Sequence, residues 1–174
     1  MSENSQRTKS NNGSSNSSNE ETNSSDNEEE EFVEDVPEDL RQYITKEVWN
    51  SYSPARQNSF KSMFRNPNCF FLRNRPPGEP QKMGPFSEEE QELFLQRLKY
   101  FRNELHIYDK LWGLFAVPFT GRFGYQIVNF YRRLLLDGVV KKAAKSNNID
   151  PEVEKMLNDQ AIEYLKDGLA KNQR

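Results

Sequence analysis

The sequence predicts an all-α fold: a three-helix unit with flanking helices behind a disordered acidic tail. Apolar residues recur three or four positions apart, the spacing of one helix face, most clearly at Phe94, Leu98, Phe101 and Leu105. Helix start signals punctuate the chain. Ser87 followed by Glu90 fits a capping box, and Asp150 followed by Pro151 fits an N-cap and a first helical position. Residues 85–136 are therefore predicted to form a small helical domain.

Charge and hydropathy divide the chain into two parts. The mean hydropathy of -0.99 is low for a fully globular chain of 174 residues. Residues 1–39 hold 12 acids and 2 bases, a net charge of -10, whereas residues 40–174 hold 22 bases and 15 acids, a net charge of +7. A basic body behind an acidic tail is typical of nucleic-acid-binding proteins. Ordinary surface charge is the alternative interpretation of the same numbers.

The tail, residues 1–39, is Ser- and Asn-rich and then acidic, so it buries too little apolar surface to offset the entropy of ordering. Phe32, Val33, Val36 and Leu40 are set among acids, a pattern similar to acidic-hydrophobic interaction segments such as activation domains. A solubilising role for the tail is the preferred interpretation.

Several protein classes are excluded at this stage. No apolar run approaches the length of about 20 residues that a membrane span needs. The first residues lack the apolar region of a signal peptide. The sequence has one cysteine, Cys69, and one histidine, His106, so we expect no internal disulfide and no metal site built from cysteine or histidine clusters. Without a Gly-rich phosphate loop or a Cys/His pair, we expect no enzyme and no cofactor.

Residues 40–84 are predicted to hold a helical segment and a Pro-rich linker. The helical segment runs from Thr45 to about Arg65, is broken by Pro54, and offers Trp49 for packing on the three-helix unit. In the linker, arginines alternate with Phe70 and Phe71. These residues either bind nucleic acid or belong to a linker whose phenylalanines dock onto the core, which we prefer. Cys69 is expected to be buried or half-buried.

Three helices are predicted within residues 85–136. The first begins at Ser87. The second places Trp112, Phe115 and Ala116 on one face and ends before Pro118. The third faces the core with Phe123, Ile127, Phe130 or Tyr131, and Leu134, and it leaves Tyr125, Val128, Asn129, Arg132 and Arg133 partly outward.

Residues 137–174 are predicted to hold a basic linker and a C-terminal helix. Asp137 and Gly138 form a helix stop, and a basic cluster of Lys141, Lys142 and Lys145 follows. The last helix carries an apolar stripe, which we expect to pack on the domain rather than on a partner.

Within residues 85–136, Trp112, Phe115 and Ala116 are followed by Gly121 and Arg122 and then by Gly124, Gln126 and Tyr131. This spacing resembles the Myb/SANT repeat, whose pattern is W-x-x-I-A…G-R-x-G-x-Q-x-x-x-x-W. Phe86, Trp112 and Tyr131 stand where the family has three tryptophans. The resemblance covers about 50 of the 174 residues. Two features depart from the Myb/SANT pattern. Residues 103–110 lengthen the interval between the first two aromatic positions, Phe86 and Trp112. Val128 stands where strong DNA binders of the family often carry lysine.

The resemblance implies a homeodomain-like helix-turn-helix whose last helix enters the major groove of DNA. Its base-reading positions correspond to Tyr125, Val128, Asn129 and Arg132, and Arg133, Lys141, Lys142 and Lys145 would contact the DNA backbone. Arg122 is expected to bridge to Glu89 or Glu90 of the first helix.

The expected function is sequence-specific binding of double-stranded DNA by a transcription regulator in the nucleus. The alternative is a SANT-type protein-interaction module of a chromatin or transcription complex, with Tyr125, Val128 and Phe130 as an apolar patch. The third helix has no carboxylate between Arg122 and Leu136, which favours DNA. The oligomeric state is left open.

Overall fold

The structure, a computed structural model, describes residues 36–171. Over this range the chain is helical and contains no strand, which confirms the all-α prediction. A 3-10 helix, Glu38–Leu40, precedes seven α-helices: α1 (Lys46–Ser51), α2 (Pro54–Lys61), α3 (Pro67–Arg73), α4 (Glu88–Asn103), α5 (Trp112–Ala116), α6 (Gly124–Leu136) and α7 (Pro151–Lys171). None of these helices combines the length and the hydropathy needed to cross a lipid bilayer.

The end of the segment assigned to the tail belongs to the hydrophobic core. Val36 and Leu40 are buried in the hydrophobic core, so the last residues of that segment pack against the domain. The rest of the predicted tail, residues 1–35 with Phe32 and Val33, lies outside the described residues.

Helices α1 and α2 form from local signals that the sequence contains. The Thr45 side chain accepts a hydrogen bond from the Val48 N–H and caps α1, and Ser53 caps α2 in the same way. Pro54 occupies the first turn of α2, where its missing N–H costs nothing. The predicted break of this segment at Pro54 is confirmed, and Trp49 is fully buried in the common core.

The Pro-rich linker contains a helix that the sequence analysis did not predict. Asn66 caps α3 by accepting a hydrogen bond from the Cys69 N–H at 3.2 Å. Phe70 and Phe71 are fully buried, which confirms that the phenylalanines dock onto the core. The expectation for Cys69 was wrong: its side chain is exposed, because the inner side of this short helix is occupied by the two phenylalanines.

Two glycines let α3 pack closely on α5 and α6. A Cβ at Gly113 would lie 1.8 Å from the backbone oxygen of Asn68, and a Cβ at Gly124 would lie 2.9 Å from Leu72 Cδ2. No larger residue fits at Gly113 without moving backbone. Helix α3 therefore sits at the centre of the domain, in contact with α5, α6 and α7.

Aromatic rings join α4, α5 and α6. Phe94 of α4 lies 5.1 Å from both Phe115 and Phe130, and Trp112 lies 4.9 Å from Tyr131 (ring centroids). Phe86 stacks on Phe130 at 4.4 Å. The capping box that begins α4 is confirmed: Glu90 N–H donates to Ser87 Oγ, and Ser87 N–H donates to Glu90 Oε1.

Two arginines complete the C-terminal end of α5. A helix leaves its last carbonyls without intrahelical partners. Arg97 donates to the carbonyls of residues 114 and 115 at 2.9 and 2.7 Å, and Arg75 donates to those of residues 116 and 117, both at 2.9 Å. Burial lowers the pKa of Arg97 to about 10, so its guanidinium remains charged at neutral pH. This short helix is thus held by side chains from α4 and from the segment after α3.

The last helix closes the domain. Leu157, Ala161, Leu165 and Leu169 are buried, and α7 packs against α3 and α5. The Tyr164 ring lies 6.2 Å from that of Phe71. The predicted start is confirmed by the hydrogen bond from Glu152 N–H to Asp150 Oδ1 at 2.9 Å. The stripe packs on the domain, as expected.

Candidate nucleic-acid interface

The outward face of α6 carries most of the predicted base-reading positions. Tyr125, Asn129 and Arg132 follow one another at intervals of four and three residues and are exposed. Val128 lies nearer the core and is half-buried. The opposite face holds the buried residues Ile127, Tyr131 and Leu134. Because packing of this inner face fixes the helix rotation, the three polar side chains share one exposed stripe.

The charge of this face is positive and unpaired. Arg132 and Arg133 are exposed, and no ion pair within residues 36–171 involves either of them. Both lie in the C-terminal half of α6, where the helix dipole favours cations. Residues 122–136 contain no carboxylate. The face can therefore accept an anionic partner without first breaking an internal ion pair.

The first turn of α6 is covered by an extended segment, residues 80–85, which we call the strap. Lys82 N–H donates to Gly121 O at 2.8 Å, and the Gln126 amide donates to Lys82 O at 2.9 Å. The Gln81 amide donates to the hydroxyl of Tyr125 at 2.8 Å. Gln81 thus belongs to the same surface as Tyr125, a contact that the sequence analysis missed.

Arg122 fixes the strap and the start of α6 to α4. Its guanidinium is 1% exposed and donates to both carboxylate oxygens of Glu90, at 2.8 and 3.2 Å. It also donates to the strap carbonyls of Lys82, Gly84 and Pro85 at 2.8 to 3.0 Å. The predicted bridge from Arg122 to the first helix is confirmed, with Glu90 rather than Glu89 as the partner.

The Glu90 carboxylate is strongly stabilised in its charged form. Burial by itself would raise its pKa, but the hydrogen bonds from Arg122 and from Ser87 N–H outweigh burial. The charges of Arg122 and Lys82 add to this effect and lower the pKa of Glu90 from 4.5 to about 2. The ion pair that positions α6 is therefore intact at neutral pH.

The basic segment after α6 is attached to the long loop between α4 and α5. Asp109 accepts hydrogen bonds from Arg102 at 2.9 Å and from the Ala143 N–H at 3.2 Å. The Asn147 side chain accepts from Tyr108 N–H at 2.7 Å and donates to Tyr108 O at 2.8 Å. The loop between α4 and α5 thus forms the support on which the segment after α6 lies.

Lys141 and Lys142 are exposed next to this support. Arg102 also donates to the Tyr131 hydroxyl at 3.0 Å, so the support is joined to the inner face of α6. Burial and the neighbouring Asp109 carboxylate raise the pKa of Tyr131 to about 12. The backbone that carries the two lysines is therefore joined to α6 through this support.

Helix α5 is enclosed. Residues 113–117 are buried, and the Leu114 N–H donates to the Asn68 side chain of α3 at 3.1 Å. Helix α3 therefore covers α5, and Arg97 and Arg75 bind the carbonyls at the C-terminal end of α5. Only the Asn66–Pro67 cap signal marked α3 in the sequence.

Apolar side chains are exposed where α6 ends. Leu136 is 87% exposed and Val139 is 57% exposed. A neighbouring groove of about 590 Å³ has Phe86, Phe130 and Leu134 among its apolar lining residues and Arg133 among its polar ones. Asn129 also lines this groove, so the groove joins the exposed apolar end of α6 to the stripe of Asn129 and Arg132.

Over residues 36–171 no three His, Cys, Asp or Glu side chains converge in a way that could hold a metal ion. Comparison with known proteins gives no match: no family model, no curated protein and no solved structure is significantly similar to this chain.

Proposed function

We propose that this chain is a nuclear transcription regulator that binds double-stranded DNA sequence-specifically through the outward face of α6. In this proposal α4, α5 and α6 form a Myb/SANT-like helix-turn-helix, and α6 is the recognition helix. The supporting observation is the exposed stripe of Tyr125, Asn129 and Arg132, which has no carboxylate and whose arginine has no ion-pair partner within residues 36–171.

Each side chain has a chemical role in this proposal. The Asn129 amide can donate to N7 and accept from N6 of one adenine, which gives specificity at a single base pair. Arg132 reads guanine or holds a phosphate, and Arg133, Lys141 and Lys142 contact phosphates. Val128 contributes apolar contact at the edge of the face. Because α5 is enclosed by α3, the contacts to the backbone come from the ends of α6 and not from α5.

The decisive experiment selects a motif from random DNA duplexes with the full chain and then measures affinity for that motif. Asn129→Ala is expected to lower the affinity roughly 10-fold to 100-fold and to relax the base preference at one position. Asn50→Ala, an exposed asparagine on α1, serves as the control and is expected to bind as the wild type does. A duplex in which only the adenine pair read by Asn129 is replaced should bind the wild type more weakly than the motif and should bind Asn129→Ala as well as the motif does. Unchanged discrimination in Asn129→Ala would refute base reading by Asn129.

The second candidate function is a SANT-type protein-interaction module, favoured by the exposed apolar side chains of Leu136 and Val139. This candidate predicts no DNA binding even at low salt. A measurement of DNA affinity with the full chain at about 50 mM salt therefore separates the two candidates, since phosphate contacts are strong at low salt.

A further inference from the structure

A second basic surface lies beside the first turn of α6. A groove of about 570 Å³ runs between α2, the end of α3 and the strap, and its polar lining residues include Arg56, Arg73, Asn74 and Gln81. This groove is distinct from the outward face of α6, and none of the residues that we assign to DNA contact above lines it.

The groove carries an excess of positive charge. The one carboxylate among its lining residues, Glu79, is bound by the buried guanidinium of Arg75 and by the Tyr164 hydroxyl. Arg56 and Arg73 are exposed, and neither belongs to an ion pair within residues 36–171. Two uncompensated arginines therefore face an opening that contains no free carboxylate.

Arg56 is held in place without using its donors. Its guanidinium carbon lies 4.5 Å from the centre of the Tyr52 ring and 5.7 Å from that of Phe60. Stacking on aromatic rings orients the planar guanidinium and leaves its N–H groups free. A preorganised arginine of this kind suits the bidentate recognition of a phosphate, because little side-chain entropy remains to be lost on binding.

The groove is continuous with the start of α6. Phe123, the residue before α6, lines it, and the Phe123 ring lies 5.8 Å from that of Tyr125 on the outward face. Gln81 also lines the groove and donates to the Tyr125 hydroxyl at 2.8 Å. A DNA strand that borders the major groove at the first turn of α6 would therefore run past Arg56 and Arg73.

We propose that this groove binds backbone phosphates of the duplex that α6 reads, through Arg56 and Arg73. The proposal rests on the proposed function and extends it, because it adds a second anchoring surface contributed by α2 and α3, outside the repeat. Lys141 and Lys142 hold the backbone at the other end of α6. Together the two surfaces fix the orientation of α6 across the major groove, and neither reads sequence.

The test is a salt titration of DNA binding by the full chain and by Arg56→Ala/Arg73→Ala. Each lost phosphate contact reduces the slope of log affinity against log salt by about 0.9, so the double variant should lose about 1.8 from that slope. Its affinity at about 50 mM salt should fall roughly 100-fold, while the selected motif stays unchanged. Arg56→Lys/Arg73→Lys, which keeps both charges, should keep most of the slope.

Arg65→Ala is the matched control, because Arg65 is an exposed arginine of the same region that does not line the groove. Thermal unfolding of each variant checks that the fold is intact. A double variant with the slope and affinity of the wild type would overturn the proposal. So would an equal loss in Arg65→Ala. If the wild type binds DNA and its motif depends on Asn129, either of these two results refutes only the phosphate contacts of the groove. A wild type that binds no DNA refutes the proposed function as well.

Discussion

The ion pair between Arg122 and Glu90 gives a quantitative prediction about stability. Both side chains are buried, and the Glu90 carboxylate also accepts the N–H of Ser87. Glu90→Gln keeps the size of the side chain and an acceptor for Ser87, but it removes the charge that faces Arg122. The guanidinium of Arg122 then stays buried with neutral acceptors and without the carboxylate that balances its charge, which is an unfavourable state for a cation.

The magnitude follows from the pKa of Glu90. The pKa falls from 4.5 in the unfolded chain to about 2 in the folded protein, and at about 1.4 kcal/mol per pH unit this difference corresponds to about 3 kcal/mol. Because the folded-state pKa is the lower one, the stabilisation is fully present above pH 4.5. It is lost as the pH falls from about 4.5 to about 2, where the carboxyl takes up a proton in the folded protein as well.

Urea unfolding of the wild type and of Glu90→Gln at several pH values measures this effect. We expect the variant to be less stable by about 3 kcal/mol near pH 6, and we expect the difference to shrink steadily below pH 4.5. Comparing the two proteins at each pH cancels the titration of all other groups. Glu89→Gln, the same change at an exposed position of the same helix turn, should cost less than about 1 kcal/mol. A difference that does not change with pH, or one no larger in Glu90→Gln than in Glu89→Gln, would refute the reasoning.

Two further predictions concern contacts that position α5 and the basic segment. Gly113→Ala should destabilise the domain by about 3 kcal/mol in thermal or urea unfolding, because its Cβ meets the Asn68 backbone oxygen. The control Gly138→Ala, at a φ of +73° with open space around it, should cost only about 1 kcal/mol. Equal costs for the two variants would contradict the close packing of α3 on α5. Asn147→Ala should speed amide hydrogen exchange at Tyr108 and lower stability by about 1 kcal/mol, since two hydrogen bonds to the loop are lost, whereas unchanged exchange would show that the basic segment is held by other contacts.

Much of the secondary structure followed from local signals in the sequence. The capping box of Ser87 and Glu90 began α4, Pro54 separated α1 from α2, and Asp150 with Pro151 began α7. These signals are reliable because each one satisfies backbone groups at its own helix end and needs no distant partner. Helix α3 was missed because its cap, Asn66–Pro67, stands in a segment whose prolines indicate turns.

The candidate site was predicted in part. The exposed stripe of Tyr125, Asn129 and Arg132 follows from helical periodicity once the apolar face of α6 is known, and the structure places these side chains outward as expected. Helical periodicity does not predict that the strap covers the first turn of α6, nor that Arg56 and Arg73 lie beside that turn. Both arrangements depend on residues more than 40 positions apart that meet only after the chain has folded.

The sequence by itself determined every α-helix except α3, the inner face of α6 and the absence of carboxylates from residues 122–136, because these features depend on residues a few positions apart. The tertiary structure alone decided what surrounds α5 and α6. Gly113 and Gly124 admit α3 against them, and Arg75, Arg97 and Arg122 join distant carbonyls and carboxylates that no local pattern pairs. A glycine or an arginine specifies no partner in the sequence, since its role depends on which backbone groups the folded chain brings within reach.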